Sequence, residues 1–160
     1  ALSANEQAVE IFRRLVTENP AFYEPDLARS LSNLSNRLSQ AGRRGEALSA
    51  SEQAVEIRRR LAADNPAFYE PYLARSLTIL GVRLAEAGDP STALQVTGEA
   101  VNLYRSLVAT MPSLLPGGHE VLGLQVVLLE SLGRSEDADA VRNWLRAHPL
   151  PPILISGICS

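Results

Sequence analysis

Apolar residues recur at intervals of three and four along most of the chain, the spacing of an amphipathic helix rather than a strand. Ala4, Ala8, Ile11 and Leu15 form one such line, and Asn19-Pro20 ends it, because the residue before a proline avoids the α region. Leu27, Leu31, Leu34 and Leu38 form the next, predicted to open at Pro25 and to close at Gly42 in a left-handed C-cap. A helix starting near Arg44–Glu46 carries Ala50, Ala54, Ile57 and Leu61, with a second line of Ala47, Leu48 and Val55, and stops at Asn65-Pro66. The plan then recurs. One helix is expected from Pro71 (Leu73, Leu77, Leu80, Leu84) to Gly88, and another from Pro90 (Val96, Ala100, Leu103, Leu107). The last pair reads as about Gly118 to Leu132, with Leu122, Val126 and Leu129 inward, and Ser135–Ala147, with the single tryptophan, Trp144.

The pattern is a repeat. NPAFYEPDLARSL at residues 19–31 returns as NPAFYEPYLARSL at 65–77, an offset of 46 in which only Asp26 and Tyr72 differ. QAVEIFRRL from Gln7 returns as QAVEIRRRL from Gln53, and more weakly as EAVNLYRSL from Glu99. Self-similarity at such a period is the mark of a repeat array. The expected layout is an orphan second helix at 1–18, repeats at 19–64 and 65–110, a degenerate repeat or cap at 111–147, and a tail at 148–160. A chain that opens inside a repeat reads as part of a longer protein.

Aligning the glycines gives the repeat a family likeness. With Gly42 as reference, Leu31, Leu34, Ser35, Leu38, Ala47 and Ala54 fall where Leu77, Leu80, Gly81, Leu84, Ala93 and Ala100 fall around Gly88. This large-small-large pattern resembles the tetratricopeptide repeat, in a long 46-residue form similar to that of kinesin light chains and of bacterial and fungal multi-repeat proteins. Gln125 and Leu145 depart from it in the third copy, and the usual aromatic at the fourth motif position is absent throughout. The resemblance implies an all-α, right-handed α-α superhelix of about seven helices. Its small residues imply close contact between the two helices of each hairpin, Ser35 against Ala47 and Gly81 against Ala93.

By the same resemblance the first helices line a concave groove. That places Arg29, Ser32, Asn33, Asn36, Ser39 and Gln40 there from the first repeat, and Arg75, Thr78, Ile79, Val82, Ala85 and Glu86 from the second. Glu120, Gly123, Leu124, Val127, Glu130 and Ser131 follow from the third. The groove is expected to run from a polar end, where Asn33 and Asn36 can donate to and accept from a peptide backbone, to an apolar end of Ile79, Val82, Leu124 and Val127. The apolar end reads as covered, by the chain's own Ile153, Leu154 and Ile155 or by a neighbouring molecule. The family's clamp for chaperone carboxylates is not expected, since only Asn36 of its five positions matches.

Composition narrows the function further. Net charge is −3, from 15 basic and 18 acidic residues, which argues against nucleic acid as partner. The basic runs Arg13-Arg14, Arg43-Arg44 and Arg58-Arg59-Arg60 read as a solvated face of weak ion pairs. A single cysteine, Cys159, allows no internal disulfide and gives no sign of an oxidising compartment. No run approaches the ~18 apolar residues of a membrane span. A cytoplasmic setting is the expectation, without membrane contact.

No catalytic, cofactor or metal constellation is read: His119 and His148 stand isolated beside helix ends. Asp137 and Asp139 suit the positive end of a helix dipole, and Gly117-Gly118 lacks the context of a phosphate loop. The expected function is a non-catalytic scaffold binding a peptide or helix in the groove. The alternatives are a spacer that self-associates through the apolar face of residues 1–18, and a sensor arm regulating an attached NTPase or other enzyme.

Overall fold

The computed structural model describes residues 2–151. They form seven α-helices: α1 (Leu2–Glu18), α2 (Pro20–Gln40), α3 (Arg44–Asp64), α4 (Pro66–Glu86), α5 (Pro90–Leu107), α6 (Leu115–Ser131) and α7 (Ser135–Ala147). A short 3-10 turn, Pro112–Leu114, precedes α6. No strand occurs among the described residues, and each helix packs chiefly on its neighbours in sequence, so the protein is an all-α solenoid. Among them no helix is long and apolar enough to cross a membrane.

The turns within hairpins follow from glycine. Gly42, Gly88 and Gly133 have φ of +77°, +84° and +72°, a region only glycine enters without penalty. After each, the next N–H reaches back to the helix: Arg43 to the Leu38 carbonyl, Asp89 to Leu84 and Arg134 to Leu129, at 2.8–2.9 Å. This is the Schellman closure.

The turns between hairpins differ from the sequence expectation. Helices α2 and α4 begin at Pro20 and Pro66, five residues before the expected Pro25 and Pro71, which lie inside them. One asparagine does all the linking. The Asn19 N–H bonds the Leu15 carbonyl, closing α1, while its side chain accepts from the Phe22 N–H at 3.3 Å. Asn65 does the same with Leu61 and Phe68. Proline at the first helical position needs no N–H, so AFYE is the opening of a helix, not a turn. Helix α6 likewise starts at Leu115 rather than Gly118.

Small residues set the helix spacing. Ser35 is fully buried and donates to the Ala47 carbonyl at 2.8 Å. At the equivalent place in the next hairpin, a Cβ on Gly81 would lie 2.4 Å from Thr97 Cγ2. The first hairpin has Ser35 with Ser51 and the second Gly81 with Thr97, so volume removed from one helix reappears on the other.

In the third hairpin the buried face turns. Leu122, expected inward, is only half-buried, while Val121 and Leu128 are fully enclosed against α4 and α5. On α1, Val9 is buried with Phe12 and Val16 against the next hairpin. The Ala4–Leu15 line, counterpart of the buried Ala50, Ala54, Ile57 and Leu61, leaves Ile11 54% exposed.

Arg58 departs from the solvated basic face. It is buried, donates to the Tyr72 carbonyl at 3.0 Å and lies 5.3 Å from the Tyr72 ring centroid. Arg59 and Arg60 do form exposed pairs, with Glu99 and with Glu24 and Glu56.

Gly81→Leu should therefore lower unfolding free energy by about 1–3 kcal/mol or more, whereas Arg59→Ala, which loses one exposed pair, should cost less than about 1 kcal/mol. Gly81→Ser should destabilise alone and be partly rescued by Thr97→Ser, which rebuilds the Ser35–Ser51 arrangement. A double-mutant cycle by denaturant unfolding measures this, and zero coupling between the two sites would refute the contact.

Candidate functional site

Helices α2, α4 and α6 lie side by side and present one face. Its polar end is largely committed to internal bonds. Arg29 pairs with Asp26 at 2.6 Å, and Ser32 donates to the Ala28 carbonyl. Gln40 accepts from Arg37. Ser39 donates to Glu86 at 2.9 Å, Glu86 pairs with Arg83 at 2.7 Å, and Arg83 reaches Asn36 at 3.5 Å. Asn36 thus belongs to a bridge between α2 and α4, whereas Asn33 is exposed and without a partner among the described residues. Arg83 was not legible as a member of this cluster: its side chain is 10% exposed and its Nε is buried without a partner among the described residues. Its only sequence signal is that it repeats Arg37.

Thr78 does not line the face. It is 5% exposed and donates to the Ala74 carbonyl at 3.0 Å, because the 3.6-residue period turns it toward the core. Ile79, Val82 and Leu124 are half-buried, and Val127 is 60% exposed. The expectation that Ile153, Leu154 and Ile155 cover this end concerns residues outside those described.

The early start of α4 lengthens the face. Phe68, Tyr72, Arg75, Ile79 and Val82 fall at alternating steps of four and three, one stripe of a helix. Phe68 is 57% and Tyr72 47% exposed. With Arg75, Met111 and Leu114 they line a cleft of about 410 Å³. A start at Pro71 leaves Phe68 outside the helix, and the sequence signal for it was the Phe repeated at Phe22 and Phe68.

Arg75 stands out within this stripe. Its counterpart Arg29 is neutralised by Asp26, but Tyr72 occupies the matching position, so exposed Arg75 has no carboxylate partner among the described residues. The single difference between the two 13-residue blocks thus frees one cation.

The opposite side of α6 holds a larger groove, about 770 Å³, walled by α5 and α7. It brings together Trp144 and the two histidines that stand isolated in sequence. His148 stacks on Trp144 at 4.3 Å and 15°, its Nδ1 2.9 Å from the Trp144 carbonyl oxygen, so that nitrogen carries the proton. His119 lies 6.0 Å from the same ring, with its Nε2 buried and unpaired among the described residues. Burial first, then the neighbouring His148, lowers the His119 pKa from its ordinary 6.5. Among the described residues no group of His, Cys, Asp and Glu could hold a metal ion.

Residues 27–67 match the sequence model of the tetratricopeptide repeat family, so the chain carries that repeat across α2, α3 and the start of α4. Repeats of this family mediate contacts between proteins and are typically non-catalytic. No curated protein matches the chain.

Because folding disfavours His119 protonation, the unfolded state takes up more protons below the ordinary value of 6.5. Stability should be full above that pH and fall as pH drops through it. His119→Gln should show a smaller drop in Tm than the parent between about pH 7.5 and 5.5; an equal drop would assign the effect to other groups.

Proposed function

We propose that this tetratricopeptide-repeat chain is a non-catalytic scaffold that binds a peptide or helix of a partner protein along the α2–α4–α6 face. The observation that carries this is Arg75, a cation freed by the Asp26-to-Tyr72 difference and set in one row with exposed Phe68 and Tyr72 and half-buried Ile79 and Val82. Aromatic and arginine side chains are the residue types that dominate binding energy at protein interfaces. An acidic side chain or carboxylate of the partner would seat on Arg75, while its apolar side chains would lie on Phe68 and Tyr72 to one side and on Leu124 and Val127 to the other. Asn33 offers a free amide to the partner's backbone, as Asn36 does not. This keeps the polar-to-apolar gradient of the groove and moves its centre from the asparagines to α4.

Self-association through α1 is the second reading, favoured by exposed Ile11. It predicts a concentration-dependent dimer in sedimentation that Ile11→Asp abolishes.

Peptides selected from a random display library on the full chain should contain an acidic residue next to large apolar ones. Arg75→Ala should weaken them by about 1.5–3 kcal/mol, on the order of tenfold or more. Asn33→Ala should weaken them less, and Arg146→Ala not at all. Selected peptides that bind Arg75→Ala and Val127→Asp as tightly as the parent would refute this site.

A further inference from the structure

The 770 Å³ groove has an origin in helix length. Helices α3 and α7 both begin two residues after a left-handed glycine, but α3 has 21 residues and α7 has 13. The final two turns of α3 supply Ile57 and Leu61, 7% and 8% exposed, which cluster with Leu27 and Leu31 of α2. Helix α7 ends at Ala147, before the matching positions. The counterpart of Leu31 is Leu122: Leu31 is 1% exposed, whereas Leu122 remains half-buried on the groove floor. The groove is thus the space that the end of a full-length second helix occupies in the first hairpin.

The chain itself leads into that space. Pro149 and Pro151, after the last turn of α7, both line the groove. The next residues are PILISGICS, uncharged, with three large aliphatic side chains in a row. Prolines at 149, 151 and 152 disfavour a helical continuation of α7, a sequence suited to an extended approach to the groove. Ile153 follows Pro151 by two positions, a span of about 7 Å when extended, which is within reach of the groove. The groove wall is also mostly apolar, with Val101, Val108, Leu122, Val141 and Trp144, and matches that chemistry.

We propose that Ile153, Leu154 and Ile155 seat in the groove between α5, α6 and α7 of the same chain, taking the place that Ile57 and Leu61 fill in the first hairpin. This lies on the opposite side of α6 from Leu124 and Val127. It therefore leaves the α2–α4–α6 face open to a partner and stands independently of the function proposed there.

Trp144 reports the event, being the only tryptophan and 45% exposed in the groove wall. The full chain should be compared with its Ile153→Asp/Leu154→Asp/Ile155→Asp variant. The variant should show a red shift of tryptophan emission, a higher acrylamide quenching constant and new binding of an apolar dye. Its far-UV circular dichroism should not change, since the substitutions lie beyond α7; Leu154→Met should behave as the parent. Identical emission and quenching in parent and variant would overturn the proposal, with the groove left open to other partners. Shielding of Trp144 that disappears on dilution, with a halved mass in sedimentation, would overturn it in favour of a second copy as occupant.

Discussion

Two helices can approach closely only if what one adds the other gives up, and the first two hairpins and the junctions that follow them depend on that condition. Interiors pack near crystalline density, so a single extra methyl is felt. Ser35 meets this by donating to the backbone it touches, and Gly81 meets it by having no side chain where Thr97 projects one. The same exchange occurs between hairpins. Arg58 of α3 packs beneath Tyr72 of α4. One repeat later Tyr104 takes the place of Arg58 and Gly117 that of Tyr72, where a Cβ would lie 2.7 Å from the Tyr104 hydroxyl. A large-large pair stabilised by a cation over a ring gives way to a large-small pair, and the helices keep their spacing.

This condition makes near-identical sequences behave differently. Asp26 and Tyr72 occupy matching positions in blocks that otherwise agree residue for residue. Asp26 neutralises Arg29. Tyr72 shields Arg58 and leaves Arg75 free. One change thus covers one cation and leaves another without a carboxylate partner among the described residues, which gives α4 a chemical character that α2 lacks. Between two units that share 12 of 13 residues in this block, such a departure is the means by which one stretch of surface becomes distinct.

The third hairpin shows the cost of departing further. Val121 and Leu128 replace Ser76 and Arg83 and turn α6 toward α4 and α5. A shortened α7 then leaves Leu122 partly uncovered and opens a groove beside Trp144, His119 and His148. The two faces of α6 consequently differ in kind. One continues the shared row of first helices, and the other is an apolar groove lined in part by Pro149 and Pro151.

The sequence by itself determined the helices, their order and their glycine closures, because amphipathic spacing and the left-handed turn are local and repeat every 46 residues. It also pointed to the small-residue contacts, through the resemblance of its repeat to the tetratricopeptide motif. Helix starts at Pro20 and Pro66 were not legible, since Asn-Pro signals both a stop and a start, and Pro25 and Pro71 offered an equally valid first position. Only the tertiary structure decided the fate of individual side chains. Thr78 and Arg58 are buried because of what the adjoining helices bring to them, and Asn36 is occupied because Arg83 reaches it across the gap between α2 and α4. The meeting of His119, Trp144 and His148 depends on how far α7 extends over α6. Periodicity tells which residues share a face; whether that face is covered depends on the length and bulk of a neighbour that the local pattern does not contain.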